Sequence, residues 1–164
     1  MLSDPQRDAL LAEIERLRRF CISLTGTTAD GDDLLQSTVE RLLQKGVPRD
    51  AHVIKWAYKV CKNAWIDEIR ARDVRQRYPK MAQDDTGMPS AEQTASKQRE
   101  LEIVNEALSQ LPTDQRLALM LVAIDGKSYA EAAEIMDVPV GTIMSRIARA
   151  RRSLAANEKL IKDD

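Results

Sequence analysis

Apolar side chains return every three or four positions along most of the chain. Leu10, Ile14, Leu17, Cys21 and Leu24 are spaced four, three, four and three, the spacing of one helix face. Ser3-Asp4-Pro5 ahead of them reads as a helix start, since proline is tolerated in a first turn, and Gly26 as the stop. A second helix is expected from Thr28–Asp30, with acidic residues where the helix dipole favours them. Its inner face would be Leu35, Val39 and Leu42, flanked by Leu34 and Leu43, and Gly46-Val47-Pro48 would end it. Asp50 can cap a third, long helix running to about Tyr78, with Ile54, Ala57, Cys61, Ala64 and Ile69 on its buried side. Short connections between three helices make a small bundle.

From Pro79 to Thr94 the rhythm stops. PKMAQDDTGMPSAEQT is small, polar and twice broken by proline, and reads as a flexible linker or as a segment that orders on binding. Periodicity resumes near Ala95. Leu101, Val104, Leu108 and Leu111 form one face, Pro112 stops it, and Thr113 can cap a helix carrying Leu117, Met120, Leu121 and Ile124 up to Gly126. Ser128 and Glu131 then match a capping box, ahead of a short helix with Ala132, Ile135 and Met136 on one side. Asp137–Pro139 breaks it, because proline cannot continue the backbone ladder. A second helix follows from about Val140, with Ile143, Ile147, Ala150 and Leu154 as its apolar stripe.

The expected class is therefore all-α. Two small helical domains span residues 1–78 and 95–157, joined by a flexible linker at 79–94 and followed by a tail at 158–164. The C-terminal domain has four helices and a helix–turn–helix. On that motif Thr142, Ser145, Arg146, Arg149 and Arg152 face away from the apolar stripe. A small, basic outer face behind a capped helix and tight turn suits the DNA major groove. Alone, the same arginines also describe a solvated helix end.

Composition sharpens this reading. Hydrophobic residues make up 43% of the chain and aromatics 4%, so a core is available and strands are disfavoured. The net charge of −1 hides a strong asymmetry. Lys55–Lys80 holds eight basic residues against three acidic ones, and Asp30–Glu40 holds four acidic and no basic ones. Asp33, Gln36, Ser37 and Glu40 share a helix face, and such a row suits a basic partner helix. Cys21, Cys61 and the single histidine His52 have no metal-ligand spacing, so no metal or cofactor is expected. Both thiols read as buried and free, as in a reducing cytoplasm. The polar start MLSDPQRD does not resemble a signal peptide, and no run approaches the ~20 apolar residues of a membrane span.

Three stretches together resemble the extracytoplasmic-function group of bacterial RNA polymerase sigma factors. Ala107–Leu154, with LP..QR, SYAEAAEIM and VPVGTIMSR, resembles the fourth conserved region of that group. DGDDLLQSTVERLL resembles its D..DL.Q segment, and WAYKVCKNAWIDEIRAR its W.Y....N...D..R helix. The resemblance implies a transcription initiation factor, not an enzyme, that brings core polymerase to promoters. It implies that Asp30, Asp33, Leu34, Gln36 and Glu40 dock on the beta-prime clamp helices, and that Leu117–Ile124 lies near the beta flap. Lys55, Lys59, Lys62, Arg70 and Arg72 would track phosphates around the minus-ten element. Asn63 and Trp65 would hold an extruded base there, by hydrogen bonding and stacking. Thr142, Ser145, Arg146, Arg149, Arg151 and Arg152 would contact the minus-thirty-five element. An anti-sigma factor is a further expected partner. Ser37, Val39, Leu43 and Met144 depart from the group's usual Glu, aromatic, Trp and Lys.

Two other classes fit parts of the chain. A stand-alone helix–turn–helix regulator would explain Ser128–Leu154 but leaves the acidic and Lys-rich helices without roles. A magnesium-dependent nuclease could use Asp30, Asp32, Asp33 and Glu40, but lacks a catalytic Ser, Cys or His constellation and a phosphate-binding glycine loop.

Overall fold

In the computed structural model, residues 2–77 and 95–162 are described, except for the side chains of 95–98, 101 and 158–162. All regular structure among them is helical: α1 (Asp4–Ala12), α2 (Ile14–Thr25), α3 (Thr28–Lys45), α4 (Val53–Arg77), α5 (Ala95–Ser109), α6 (Thr113–Leu119), α7 (Tyr129–Met136) and α8 (Val140–Lys162). The expected linker, 79–94, lies outside the described residues.

The first helical stretch is two helices. Ser3 starts α1 through a capping box with Gln6, but the run bends at Glu13 (φ −107°, ψ 5°). The bend lets α1 pack on α4 while α2 packs on α3. Leu2 and Leu10 are buried from α1, and Leu17, Phe20, Cys21 and Leu24 from α2.

The inner face of α3 lies one position away from the expected one. Gly31, Leu34, Thr38 and Leu42 are buried, whereas Leu35 is half-buried and Leu43 exposed. The displaced reading comes from Thr38, a polar residue at a core position. Its hydroxyl donates to the Leu34 carbonyl at 2.8 Å, so it enters the core without an unmet hydrogen bond. Gly31 lets α2 approach closely, since a Cβ there would stand 2.5 Å from Ile22 Cγ1.

On α4 the buried set is Ala57, Tyr58, Cys61, Ala64 and Trp65. His52, not Asp50, meets its first turn, with Nδ1 accepting from the Lys55 amide at 3.4 Å. Phe20 packs on Tyr58 with ring centroids 5.1 Å apart. The Cys21 and Cys61 sulfurs lie 3.4 Å apart between α2 and α4.

In the C-terminal half, Pro112 occupies the position before α6 and Thr113 is its first helical residue, without a side-chain cap. The helix then widens into a π turn, Met120–Ile124, closed by the Asp125 amide on the Met120 carbonyl at 3.0 Å. The extra residue in that turn rotates Asp125 inward and leaves Ile124 exposed, contrary to the straight-helix reading. Val104 of α5 is exposed too. Ala132, Ile135, Ile143, Ile147 and Ala150 form the core of the helix–turn–helix. The buried side chains of the two halves run together into one continuous core.

Candidate functional site

The helix–turn–helix is built as its sequence implies. Ser128 Oγ accepts from the Glu131 amide at 3.1 Å, and Glu131 Oε1 accepts from the Ser128 amide at 3.3 Å. The Ser128 amide first, and the Ser128 side chain next, hold the Glu131 carboxyl below the usual range. Asp137 ends α7 in the left-handed region, φ 54°, which Asp and Asn tolerate better than bulkier residues. The Val138 amide returns to the Ala133 carbonyl at 3.1 Å, and Pro139 starts the next turn. With Ile143, Ile147 and Ala150 buried, α8 presents Val140, Met144, Ser145, Arg149, Arg151 and Arg152 outward. Ser145 Oγ is tied back to the Gly141 carbonyl at 2.8 Å. Thr142 and Arg146 are half-buried. The Arg146 guanidinium is 3.7 Å from Asp114 of α6, so it is turned partly away from the exposed strip.

The acidic face of α3 divides by direction. Asp33, Gln36 and Glu40 are exposed, and Gln36 Nε2 donates to Glu40 Oε1 at 3.2 Å. Asp30 lies 3.8 Å from Arg72 of α4. Asp32 is taken by Arg18 at 2.7 Å, which lowers the Asp32 carboxyl and raises the Arg18 guanidinium. These carboxylates therefore serve different partners and do not converge as a metal site would need. Leu34 is only 7% exposed, which corrects its expected role. It packs inward, and the exposed apolar side chain on the outer face is Leu43, three positions beyond Glu40.

Along α4, Lys55, Lys59 and Lys62 stand on one stripe, spaced four and three. Trp56, Val60 and Asn63 form the next stripe, and line a hollow of about 560 Å³ with Arg41, Lys45 and the Gly46–Pro48 turn. Trp65 is not in it. Two positions on from Asn63 is about 200° around a helix, so the two side chains point to opposite sides. Trp65 is 5% exposed in the core, and the Arg116 guanidinium lies 5.7 Å from its ring centre. Trp56, seven positions before Asn63, shares its face. Arg70 is exposed, and Arg72 sits 3.4 Å from Glu68.

The three lysines meet the helix–turn–helix. Lys55 Nζ binds Glu134 at 2.5 Å, Lys59 Nζ lies 3.5 Å from Asp137, and Lys62 Nζ donates to the Ile135 carbonyl at 3.4 Å. The bond to Glu134 raises the Lys55 ammonium above the ordinary lysine range, and burial lowers that of Lys62.

A polar cluster behind them escaped the sequence reading. Asp125 is buried and accepts from the Tyr58 hydroxyl at 2.7 Å. Its carboxylate is also 3.3 Å from Lys127, and its carbonyl accepts from Arg16 at 2.8 Å. Arg116, also buried, donates to the Ser23 carbonyl at 3.2 Å. The only sequence signals were Tyr58, in the aromatic motif, and Arg116, in LP..QR. An aspartate before a glycine reads simply as a loop.

Comparison with known proteins gives two family matches, "Sigma-70, region 4" over residues 101–154 and "Sigma2 domain of PhyR" over residues 10–54. The chain is 38% identical over 162 residues to the ECF RNA polymerase sigma factor EcfG of Rhodopseudomonas palustris, covering 94% of this chain and 86% of that one. It is 33% identical to the ECF RNA polymerase sigma factor SigM of Mycobacterium tuberculosis, over 85% of this chain and 70% of that one. Among solved structures it resembles the sigma factor RpoE in complex with the anti-sigma factor NepR from Bartonella quintana. The TM-score there is 0.71 at 27% identity, over 96% of this chain and 98% of that one.

Proposed function

We propose residue roles from one premise: the chain belongs to the extracytoplasmic-function RNA polymerase sigma factors. It is a transcription initiation factor that binds RNA polymerase and directs it to specific promoters. It acts by binding and makes or breaks no covalent bond. Asp33, Gln36 and Glu40 dock α3 on a basic helical surface of core polymerase, with Leu43 as the apolar contact and Asp30 at the edge. Long-range attraction sets encounter rate and register there more than affinity.

The hollow beside Asn63 takes an extruded base of the minus-ten strand. Trp56 supplies the stacking wall, Asn63 the base-edge hydrogen bonds, and Arg41 and Lys45 the phosphate charge at the rim. Lys55, Lys59, Lys62, Arg70 and Arg72 follow the strand's phosphates. Upstream, Arg149 reads base edges of the minus-thirty-five element, with Ser145 and Thr142 allowing close approach and Arg146 beside them. Met144 and Val140 suit thymine methyl groups, and Arg151 and Arg152 suit phosphates. An anti-sigma factor is a further partner, as in the RpoE–NepR complex.

What supports the reading most is order. An acidic α3, a basic α4 and a capped helix–turn–helix follow one another, in a chain 38% identical along nearly its whole length to an ECF RNA polymerase sigma factor. Run-off transcription with core polymerase on a random promoter library tests it. The expected result is enriched upstream and minus-ten elements, with no transcripts if either chain or core is omitted. Tight, specific duplex binding by the chain alone, without transcription, would instead make it a stand-alone regulator.

A further inference from the structure

We propose that Cys21 and Cys61 are a reversible oxidation site, closed to an intrachain disulfide by a hydroperoxide. The inference rests on packing within the N-terminal half and not on the residue roles proposed above. One thiol comes from α2 and the other from α4, 40 residues apart in sequence, and their sulfurs lie 3.4 Å apart. A disulfide needs about 2.05 Å, so the two side chains together must close by about 1.4 Å. Their neighbours hold them at that contact. Phe20, beside Cys21, packs on Tyr58, one turn before Cys61, with ring centroids 5.1 Å apart. Leu17, Leu24, Ala57 and Ala64 are buried on the same two helices. Neither helix can turn its sulfur away without breaking that packing.

The chemistry balances with one hydrogen peroxide. The first sulfur attacks a peroxide oxygen, the O–O bond breaks, S–OH forms, and the other oxygen leaves as water with the thiol proton. The second sulfur then attacks the sulfenic sulfur. The S–S bond forms, the S–O bond breaks, and hydroxide leaves as water with the second thiol's proton. Two thiols are oxidised and the peroxide is reduced to two waters. A lone thiol here would go on to sulfinic acid, a charge in a site with no exposure. The second thiol, already in contact, intercepts the sulfenic stage and keeps the core apolar. Their mutual hydrogen bond first, and burial next, push the Cys21 thiol well above its usual range. Thiolate is the nucleophile, so the first step is slow and the pair answers sustained oxidant.

The test treats the reduced full chain with excess hydrogen peroxide, stops the reaction with catalase, and reads peptides by mass spectrometry and helix content by circular dichroism. Met144 is 54% exposed, so its sulfoxide reports the dose. Once Met144 is fully converted, most chains should have lost two hydrogens and carry a linked Cys21–Cys61 peptide pair. Neither cysteine should have gained oxygen, the helix signal should be unchanged, and dithiothreitol should restore both thiols. Cys21→Ala and Cys61→Ala each leave one thiol without its partner. At the same dose that thiol should gain two or three oxygens, and the helix signal should fall. The wild-type peptide map decides even where a variant does not fold. Both thiols still reduced after full conversion of Met144 would overturn the proposal. Sulfinic acid on either wild-type cysteine, or disulfides that join two chains instead of closing within one, would overturn it as well.

Discussion

Gly31 is the tightest point of the α2–α3 crossing, and Gly31→Ala tests that packing directly. The new Cβ would stand 2.5 Å from Ile22 Cγ1, 2.8 Å from Ile22 Cα and 2.9 Å from Ile22 N. Carbon atoms rest about 3.5–4.0 Å apart, so the methyl is driven about 1 Å inside contact. Ile22 could rotate its side chain away, but two of the three neighbours are backbone. The helices must part, which disturbs Leu17, Leu24 and Leu34 as well. Overpacking of this kind costs about 1–3 kcal/mol, and rigid neighbours put it near the upper end. Alanine returns about 1 kcal/mol of helix propensity. The net loss is therefore about 2 kcal/mol, or a urea midpoint lower by about 1 M for an m-value near 2 kcal/mol/M. Gly141→Ala is the matched control, since nothing lies within 4 Å of its Cβ position. It should be neutral or stabilising by up to about 1 kcal/mol. Urea unfolding of both variants, followed by circular dichroism, gives the comparison. A Gly31→Ala midpoint at or above wild type, with unchanged m, would refute the close crossing.

Three further outcomes are expected. Cys21 and Cys61 are fully buried, and their mutual hydrogen bond, then burial, pushes the Cys21 thiol well above its usual pKa; both should resist alkylation in the native chain and react after denaturation, and fast native labelling would contradict the packing. The Glu131 carboxyl is held low by the Ser128 amide first and the Ser128 side chain next, so its folded pKa lies below the unfolded value of about 4.3. Its stabilisation is complete above that range and is lost as pH falls through the folded value, so the advantage of wild type over Glu131→Gln in urea midpoint should be largest at neutral pH and shrink on acidification; a pH-independent gap would show the charge is not engaged. Arg149→Ala should cost about 1–3 kcal/mol of upstream-element discrimination in transcription, as for a bidentate base contact, and Arg146→Ala less, because Asp114 already engages that guanidinium; the reverse order would place Arg146, not Arg149, in the groove.

Where helix periodicity and local chemistry agreed, the chain could be read residue by residue. Ser128 and Glu131 form their capping box, and Ile143, Ile147 and Ala150 turn inward as their spacing required. The reading failed where a tertiary contact overrode local pattern. Thr38 is polar yet buried, because its own helix satisfies the hydroxyl. Glu13 gives no sequence sign of a bend, yet α1 turns there to reach α4. The π turn at Met120–Ile124 cannot be seen in a periodicity that assumes 3.6 residues per turn.

The site failed in a more instructive way. Asn63 and Trp65 are neighbours in sequence and in a family motif, but a helix separates them by about 200°. The indole that shares Asn63's face is Trp56, half-buried and packed against the edge of the core. Asp125 was unreadable for a different reason: its meaning depends on Tyr58, 67 residues earlier in the chain. The lysine stripe was expected to follow phosphates, and in this arrangement its half-buried side chains face α7. A stripe suited to phosphate also suits any other array of oxygens within reach. Its occupancy is then set by the free energy of the interface between the two halves, a quantity that neither half encodes alone.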